Sequence, residues 1–244
     1  GAKQLSLASR SGALARGTSS EWSVLANVAD VSLQQCDTSE DAHVRRLVGK
    51  TMATLTGVWH AAGVLADCML PKQDARSLAV VHAPKAHGVQ SLHGAYSAIS
   101  LRACVLFSSV TALLGGSGQA NYSAANAHLD ALASHRRMHS AAAVSVQWGA
   151  WAEMGMAARG AASERMAAME AASGFARIGL AQGLAALDVA TQHKSPMVLG
   201  MVPISWTRFL GGSTAVPAFL LTFAPPKTIE AVAVRDGLSS ASCV

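Results

Sequence analysis

The chain begins with an alternating segment, residues 4–8 (Gln-Leu-Ser-Leu-Ala), which predicts a short strand, followed by a turn-rich stretch over residues 9–20. Residues 31–35 repeat the strand pattern up to Cys36-Asp37. Thr38 followed by Asp41 then predicts a capping box opening a helix that carries Val44, Leu47 and Val48 on one face. Residues 57–60 read as a third strand, stopped by Ala61-Ala62-Gly63. After Pro84, the apolar positions Val89, Leu92, Tyr96 and Ile99 fall on one helical stripe, and Lys85 lies on that stripe four residues before Val89, so it is expected to face the core. Residues 103–107 are apolar without alternation, as in a strand covered on both faces. Beyond them the spacing predicts a helix over 122–137, a strand over 143–148, a helix over 179–192 with Leu180, Leu184 and Leu187 on one stripe, and a last strand over 197–202.

Strands alternating with helices predict an α/β fold, a Rossmann-like doubly wound parallel sheet with helices on both faces, whose ligands sit beyond the carboxyl ends of the strands. Residues 1–212 read as one domain. Residues 213–244, with Pro217, Pro225-Pro226 and a polar end, show no period and read as a linker or tail.

Composition narrows the classes. With 51% hydrophobic and 14% charged residues among 244, the chain buries a sizeable core. The formal charge of +5 comes from scattered Lys and Arg, and the densest cluster, His135, Arg136, Arg137 and His139, reads as a solvated helix end. Two Tyr and five Phe offer few surfaces for base stacking, so no nucleic-acid partner is expected. Cys36, Cys68, Cys104 and Cys243 form no CxxC or Cys/His pairing, so no metal site is expected and the thiols read as reduced. No signal-peptide pattern and no apolar run of bilayer length appear, which makes a soluble, cytoplasmic chain without membrane partners the expectation.

The residues that carry chemistry are Ser109 at a strand end, Tyr122 thirteen positions later at a helix start, and Asn126 one turn beyond Tyr122 on the same face. Reduction of a ketone needs a hydride for the carbon and a proton for the developing alkoxide. A tyrosine hydroxyl, with an ordinary pKa of about 10, serves near neutrality when a cation shifts it, and Lys85 is the candidate cation. Ser109 is suited to hydrogen-bond the carbonyl oxygen as charge develops.

Leu106-Phe107-Ser108-Ser109, the run Gly118-Gln119-Ala120-Asn121-Tyr122-Ser123-Ala124-Ala125-Asn126, and Gln147-Trp148-Gly149-Ala150-Trp151 resemble the ketoreductase domains of type I polyketide synthases, members of the short-chain dehydrogenase/reductase superfamily. Most of that superfamily carries Tyr-x-x-x-Lys, whereas here Asn126 takes the fourth place and Lys85, in Pro84-Lys85-Ala86-His87-Gly88, resembles the family's displaced lysine. The resemblance implies that Tyr122 protonates the alkoxide, that Lys85 holds the nicotinamide ribose and lowers the Tyr122 pKa, that Ser109 orients the ketone, and that Asn126 supports the network. The cofactor it implies is NADPH. Ser9 and Arg10, just after the first strand, stand where the family meets the 2′-phosphate, and a guanidinium suits that group; a solvated loop arginine is the alternative. Asp37 resembles the residue near adenine and equally fits the start of the helix cap. Ala61, Ala62 and Gly63 resemble the family's Asn/His-Ala-Ala-Gly turn beside the cofactor, with Lys85 and Tyr122 completing the cofactor set.

The sequence departs from the family in two respects: Ala66 replaces the first Asp of its Leu-Asp-Asp signature and, more conspicuously, no Gly-x-Gly-x-x-Gly precedes residue 4. The expectation is therefore of a domain incomplete at its N-terminus, lacking its first strand and glycine-rich loop. Gly116-Ser117-Gly118 mimics that loop only weakly and reads as an active-site loop. Asp67 in Gly63-Val64-Leu65-Ala66-Asp67 resembles the signature of B-type ketoreductases, which give a D-hydroxyl, and Leu114 stands where the opposite class often has Trp; both are substrate or stereocontrol candidates. Residues 149–173, around Met154-Gly155-Met156, resemble a lid. The function implied is reduction of a β-ketoacyl thioester on an acyl carrier protein, alongside other synthase domains. The alternatives are a stand-alone 3-oxoacyl reductase of fatty-acid biosynthesis, or a non-catalytic half-domain that packs inside a synthase module.

Overall fold

The computed structural model describes residues 3–15, 17–153, 167–168, 170–192, 194–211 and 215–225. The chain gathers into two compact units, Gly1–Gln147 with Val189–Gly200, and Trp148–Asp188 with Met201–Val244.

In the first unit, β1 (Gln4–Ser9), α1 (Ser19–Val28) and β2 (Asp30–Gln35) form a crossover in which β1 and β2 pair in parallel, from Gln4 opposite Asp30 to Ser9 opposite Gln35. α2 (Asp41–Thr51) follows, burying Val44 and Val48 one turn apart. The expected capping box is absent: Glu40, not Thr38, precedes the helix, and no side chain caps it. Asp37 is engaged instead in a local turn, accepting from Ser39 N–H at 3.0 Å and from Ser39 Oγ at 2.6 Å. β3 (Gly57–His60) starts a second sheet of order β3-β4-β5-β6, with β4 (Ala103–Ser109), β5 (Val144–Trp148) and β6 (Val198–Met201). β3 runs parallel to β4, and the β5–β6 bonds Ser145 N–H to Met197 O and Gly149 N–H to Met201 O advance together, as parallel strands require. The strands thus divide between two sheets, and among the described residues each of β1 and β3 has one unpaired edge.

Between β3 and β4 lie α3 (Ala75–His82), a π-helical turn (Ala83–His87) and α4 (Gly88–Ala95). α5 (Thr111–Leu114) and α6 (Ala120–Met138) join β4 to β5. β4 and β5 are buried along nearly their whole length, the pattern of strands covered on both faces. α6 lays Tyr122, Ala125, Asn126, Leu129, Leu132, Ala133 and Arg136 along one buried stripe, and Leu129 joins Val44, Val89, Leu92, Tyr96 and Leu106 in the main core cluster. Truncating Leu129 to Ala, at a site with no exposed surface, is expected to cost about 2–5 kcal/mol in denaturant unfolding.

Arg136 corrects the reading of a solvated helix end, because it is buried. Its Nε donates to Ala142 O at 3.2 Å, its Nη1 donates to His93 Nδ1 at 2.9 Å, and its guanidinium lies over the Tyr96 ring. An arginine that donates to Nδ1 requires a neutral His93, and desolvation, then the Arg136 and His135 charges, hold the His93 pKa below its ordinary value. A histidine depressed in the folded state takes up its proton more readily when unfolded, so this stability is present above the ordinary histidine pKa and is lost as pH falls below it. Thermal melts between pH ~7 and ~5 are expected to drop more steeply for the wild type than for His93→Gln.

In the second unit, α7 (Leu180–Ala190) follows the isolated bridges Trp151–Ile178 and Phe175–Ile204. Its buried positions there are Gly183 and Ala186, whereas Leu180 and Leu184 are exposed, the reverse of the expected leucine stripe. The cause is Trp151, whose ring lies where a Gly183 side chain would stand: a Cβ there would come within 2.0 Å of it. Residues 218–223, within the segment read as a linker, form a short 3₁₀ helix whose Phe223 stacks on Trp206 at 4.3 Å. Among the described residues, no helix is long and apolar enough to cross a membrane.

Candidate active site

The carboxyl ends of β3 and β4, the π-helical turn and the first two turns of α6 bring the four central candidates together. Lys85 is 3% exposed; its Nζ donates to Phe107 O at 2.9 Å and lies 5.3 Å from the centroid of the Tyr122 ring. Tyr122 is itself buried, and Asn126 Nδ2 donates to the Tyr122 carbonyl at 2.8 Å across one helical turn. Ser108 Oγ ties β4 to α6 by donating to Asn126 O at 3.3 Å. Ser109 Oγ accepts from Thr111 N–H at 3.2 Å and from Thr111 Oγ1 at 3.1 Å. Accepting both of these bonds leaves the Ser109 proton to be donated elsewhere. Asn126 Oδ1 is buried without a hydrogen-bond partner, an acceptor left open beside the tyrosine.

The electrostatics differ from the expectation in one respect. Burial pushes the Tyr122 hydroxyl above its ordinary pKa; the side chains of Asn126 and Ser109 pull it part of the way back, and the Asp67 charge works against them. Lys85 does not lower it here, because the ammonium lies over the ring face and is held by a carbonyl. Lys85 is the strongly perturbed group: desolvation brings its pKa down to about 8, with the charge of Asp130 opposing. Asp130, which sequence reasoning missed, lies one turn beyond Asn126 and accepts from Ser145 Oγ at 2.6 Å and Gln147 Nε2 at 2.8 Å. Its signal was the helical spacing of 122, 126 and 130.

His60 was missed as well. It ends β3, is 3% exposed, and sits 3.0 Å through Nε2 from Pro84 O. The next residues, Ala61, Ala62 and Gly63, lead to the lysine: a Cβ on Gly63 would stand 2.9 Å from Lys85 Cε. The close approach, not a special backbone angle, is what calls for glycine there.

The remaining candidates follow the ends of β1 and β2. Ser9 Oγ accepts from Gly12 N–H at 3.1 Å, and exposed Arg10 accepts at its carbonyl from Gln35 Nε2. Ser39 holds the Asp37 carboxyl below its ordinary range, with smaller help from the charges of Arg10 and His43. Asp67 Oδ2 accepts from Gln119 Nε2 at 3.0 Å, Cys68 N–H donates to Gly118 O, and Asn121 Nδ2 donates to Ala66 O. The 66–68 segment and the loop leading into Tyr122 are therefore laced together, with half-buried Leu114 at the end of α5. Met154, Gly155 and Met156 of the expected lid lie outside the described residues, as does Cys243. Cys36, Cys68 and Cys104 are free thiols, and no metal-binding cluster occurs among the described residues.

A family model described as the KR domain matches residues 1–153. The chain belongs to the KR domain family. Among curated proteins it is 41% identical over 227 residues to polyketide synthase GfsB of Streptomyces halstedii, covering 88% of this chain and 4% of that protein. It is also 41% identical over 194 residues to the spectinabilin polyketide synthase system protein NorB of Streptomyces orinoci, covering 78% of this chain and 9% of that protein. The KR chain thus spans a small fraction of these relatives. Among solved structures, A-type ketoreductases from a modular polyketide synthase align with a TM-score of 0.82 at 31% identity, over 94% of this chain and 48% of theirs. The first ketoreductase of the tylosin polyketide synthase aligns at 0.77 and 31%, over 94% and 49%. The Rossmann-like α/β fold read from the strand and helix rhythm is that of these ketoreductases.

Proposed function

We propose that this chain is the catalytic part of an NADPH-dependent ketoreductase, which reduces a β-ketoacyl thioester carried on an acyl carrier protein to the β-hydroxyacyl thioester in polyketide biosynthesis. The observation that carries this reading is the buried Lys85 ammonium 5.3 Å from the Tyr122 ring centroid, beside Ser109 and Asn126. In the proposed reaction Ser109 donates a hydrogen bond from its hydroxyl to the ketone oxygen, holding the carbonyl against Tyr122. Tyr122 then gives its phenolic proton to the alkoxide, and the resulting phenolate, held by the Asn126 and Ser109 side chains, takes a proton back from solvent. A nicotinamide cofactor supplies the hydride to the carbonyl carbon.

Several residues suit such a cofactor. Lys85 and the 61–63 turn would flank the nicotinamide ribose. Exposed Arg10, near the Asp37 carboxyl, would suit a ribose 2′-phosphate, with Ser9 as a second donor to it and Asp37 as the residue for the adenine end.

The same reading makes residues 1–212 the reductase domain and 213–244 a tail, with other synthase domains as neighbours and a cytoplasmic setting that suits the free thiols. Asp67, laced to the loop before Tyr122, and Leu114 favour B-type reduction to the D-hydroxyl. Chiral analysis of the product from Asp67→Ala and Leu114→Trp is expected to show loss of D-selectivity; unchanged stereochemistry in both removes the assignment.

NADPH oxidation with a β-ketoacyl thioester surrogate tests the function, using this chain and a version extended toward its N-terminus, each beside a Tyr122→Phe control. Turnover that vanishes in the control supports the reductase. No turnover in either version favours a non-catalytic scaffold, and equal turnover of free and carrier-bound substrate favours a stand-alone 3-oxoacyl reductase.

A further inference from the structure

Lys85 does not sit in a regular helix. The turn Ala83–His87 is π-helical, and the Gly88 N–H, which an α-helix would send to Pro84 O, goes to the carbonyls of Ala83 and Lys85. The Pro84 carbonyl lies instead against the ring of His60, 3.0 Å from Nε2. His60 is buried, and its other nitrogen, Nδ1, has no partner. One ring nitrogen facing a carbonyl and the other facing no polar group fix a neutral imidazole with its proton on Nε2, donating to Pro84 O. Desolvation, then the charge of Lys85, keeps the ring neutral by lowering its pKa to about 4, against the pull of the Pro84 carbonyl. Three residues on, Gly63 abuts Lys85 Cε. One short segment at the end of β3 therefore holds the lysine from two sides, through His60 on the carbonyl of the preceding Pro84 and through Gly63 against its side chain.

We propose that His60 is a positioning residue: by bonding Pro84 O it fixes the π-helical turn that aims Lys85 at Tyr122. This inference rests on the reductase reading for its effect on rate, but its structural content, that His60 sets the placement of Lys85, stands apart from any activity. A histidine that merely filled a core position would be replaceable by an apolar residue of similar volume without disturbing the lysine.

The test compares His60→Leu, which keeps the bulk and loses the donor, with His60→Gln, whose amide restores an N–H at similar reach. The first readout is the titration of Lys85, followed by NMR of ¹³Cε-lysine and assigned with Lys85→Met. In the wild type and His60→Gln it is expected well below the ordinary lysine range, and in His60→Leu shifted back toward that range as the ammonium gains water. The second readout is the pH profile of ketone reduction: kcat for His60→Leu is expected to fall at least tenfold with its pH dependence displaced, at little changed KM, and His60→Gln to recover most of it. If His60→Leu fails to fold, His60→Asn replaces it, an amide one bond too short to reach Pro84 O. A wild-type Lys85 titration and pH profile in the donor-less variant overturns the proposal. Absent turnover in the wild type overturns the reductase reading alone, since the lysine titration still reports on His60.

Discussion

Tyr122→Phe lowers the rate of NADPH-dependent ketone reduction by about 10²–10⁴-fold, the range a positioned general acid contributes, while circular dichroism and the melting transition stay close to wild type. Phe retains the buried ring against which Val81 and Ala125 pack, so the substitution removes one oxygen and little else. The phenol is pushed up by burial, not down, which suits a donor that holds its proton until alkoxide charge develops. The expected loss therefore falls on kcat, with KM nearly unchanged, because a ground-state ketone gains little from that proton. A Tyr122→Phe enzyme with wild-type kcat would move the acid role to another group.

Lys85→Met is expected to abolish turnover to a similar degree and to make the protein more stable at neutral pH. Burial lowers the lysine pKa from 10.5 to about 8, so the folded state binds its proton less tightly than the unfolded state does. The cost of the buried charge, about 3 kcal/mol, applies in full below the folded pKa, shrinks between the two values, and is gone above the unfolded one. Methionine fills similar volume without charge and forfeits the bond to Phe107 O, worth about 1 kcal/mol. Denaturant unfolding is expected to show a net gain of the order of 2 kcal/mol at neutral pH, disappearing in strong alkali. A variant both inactive and less stable at neutral pH would mean that the lysine is held for the fold and not for chemistry.

The strands that build this site were legible because they are apolar and bounded by small residues: β3 stops at the 61–63 turn and β4 at Ser108-Ser109. Lys85 was legible as buried because it falls on the stripe of Val89 and Leu92. Other elements left weaker traces. α1 buries none of its side chains, so it carries no amphipathic period to read. α3 is announced only by Asp74 and Ser77, which form a reciprocal capping box. The π-helical turn was illegible, because Pro84 fits a helix start equally well and the extra residue shows only once His60 is seen against its carbonyl. α7 misled because a tryptophan far back in the sequence selects Gly183 and Ala186 over the leucines. Residue types and spacing marked Tyr122, Ser109, Asn126 and Lys85, but the direction of the tyrosine shift depends on burial and on Asp67, which sequence spacing does not encode.

The most direct measurement supplies the chain, in the version extended toward its N-terminus, with NADPH carrying deuterium at the transferable position and a β-ketoacyl thioester, and reads the product by mass spectrometry. A β-hydroxyacyl thioester with one deuterium on its β carbon is expected from the wild type and not from Tyr122→Phe. Unchanged ketone in the wild type, or labelled product formed equally by Tyr122→Phe, would contradict the reductase reading.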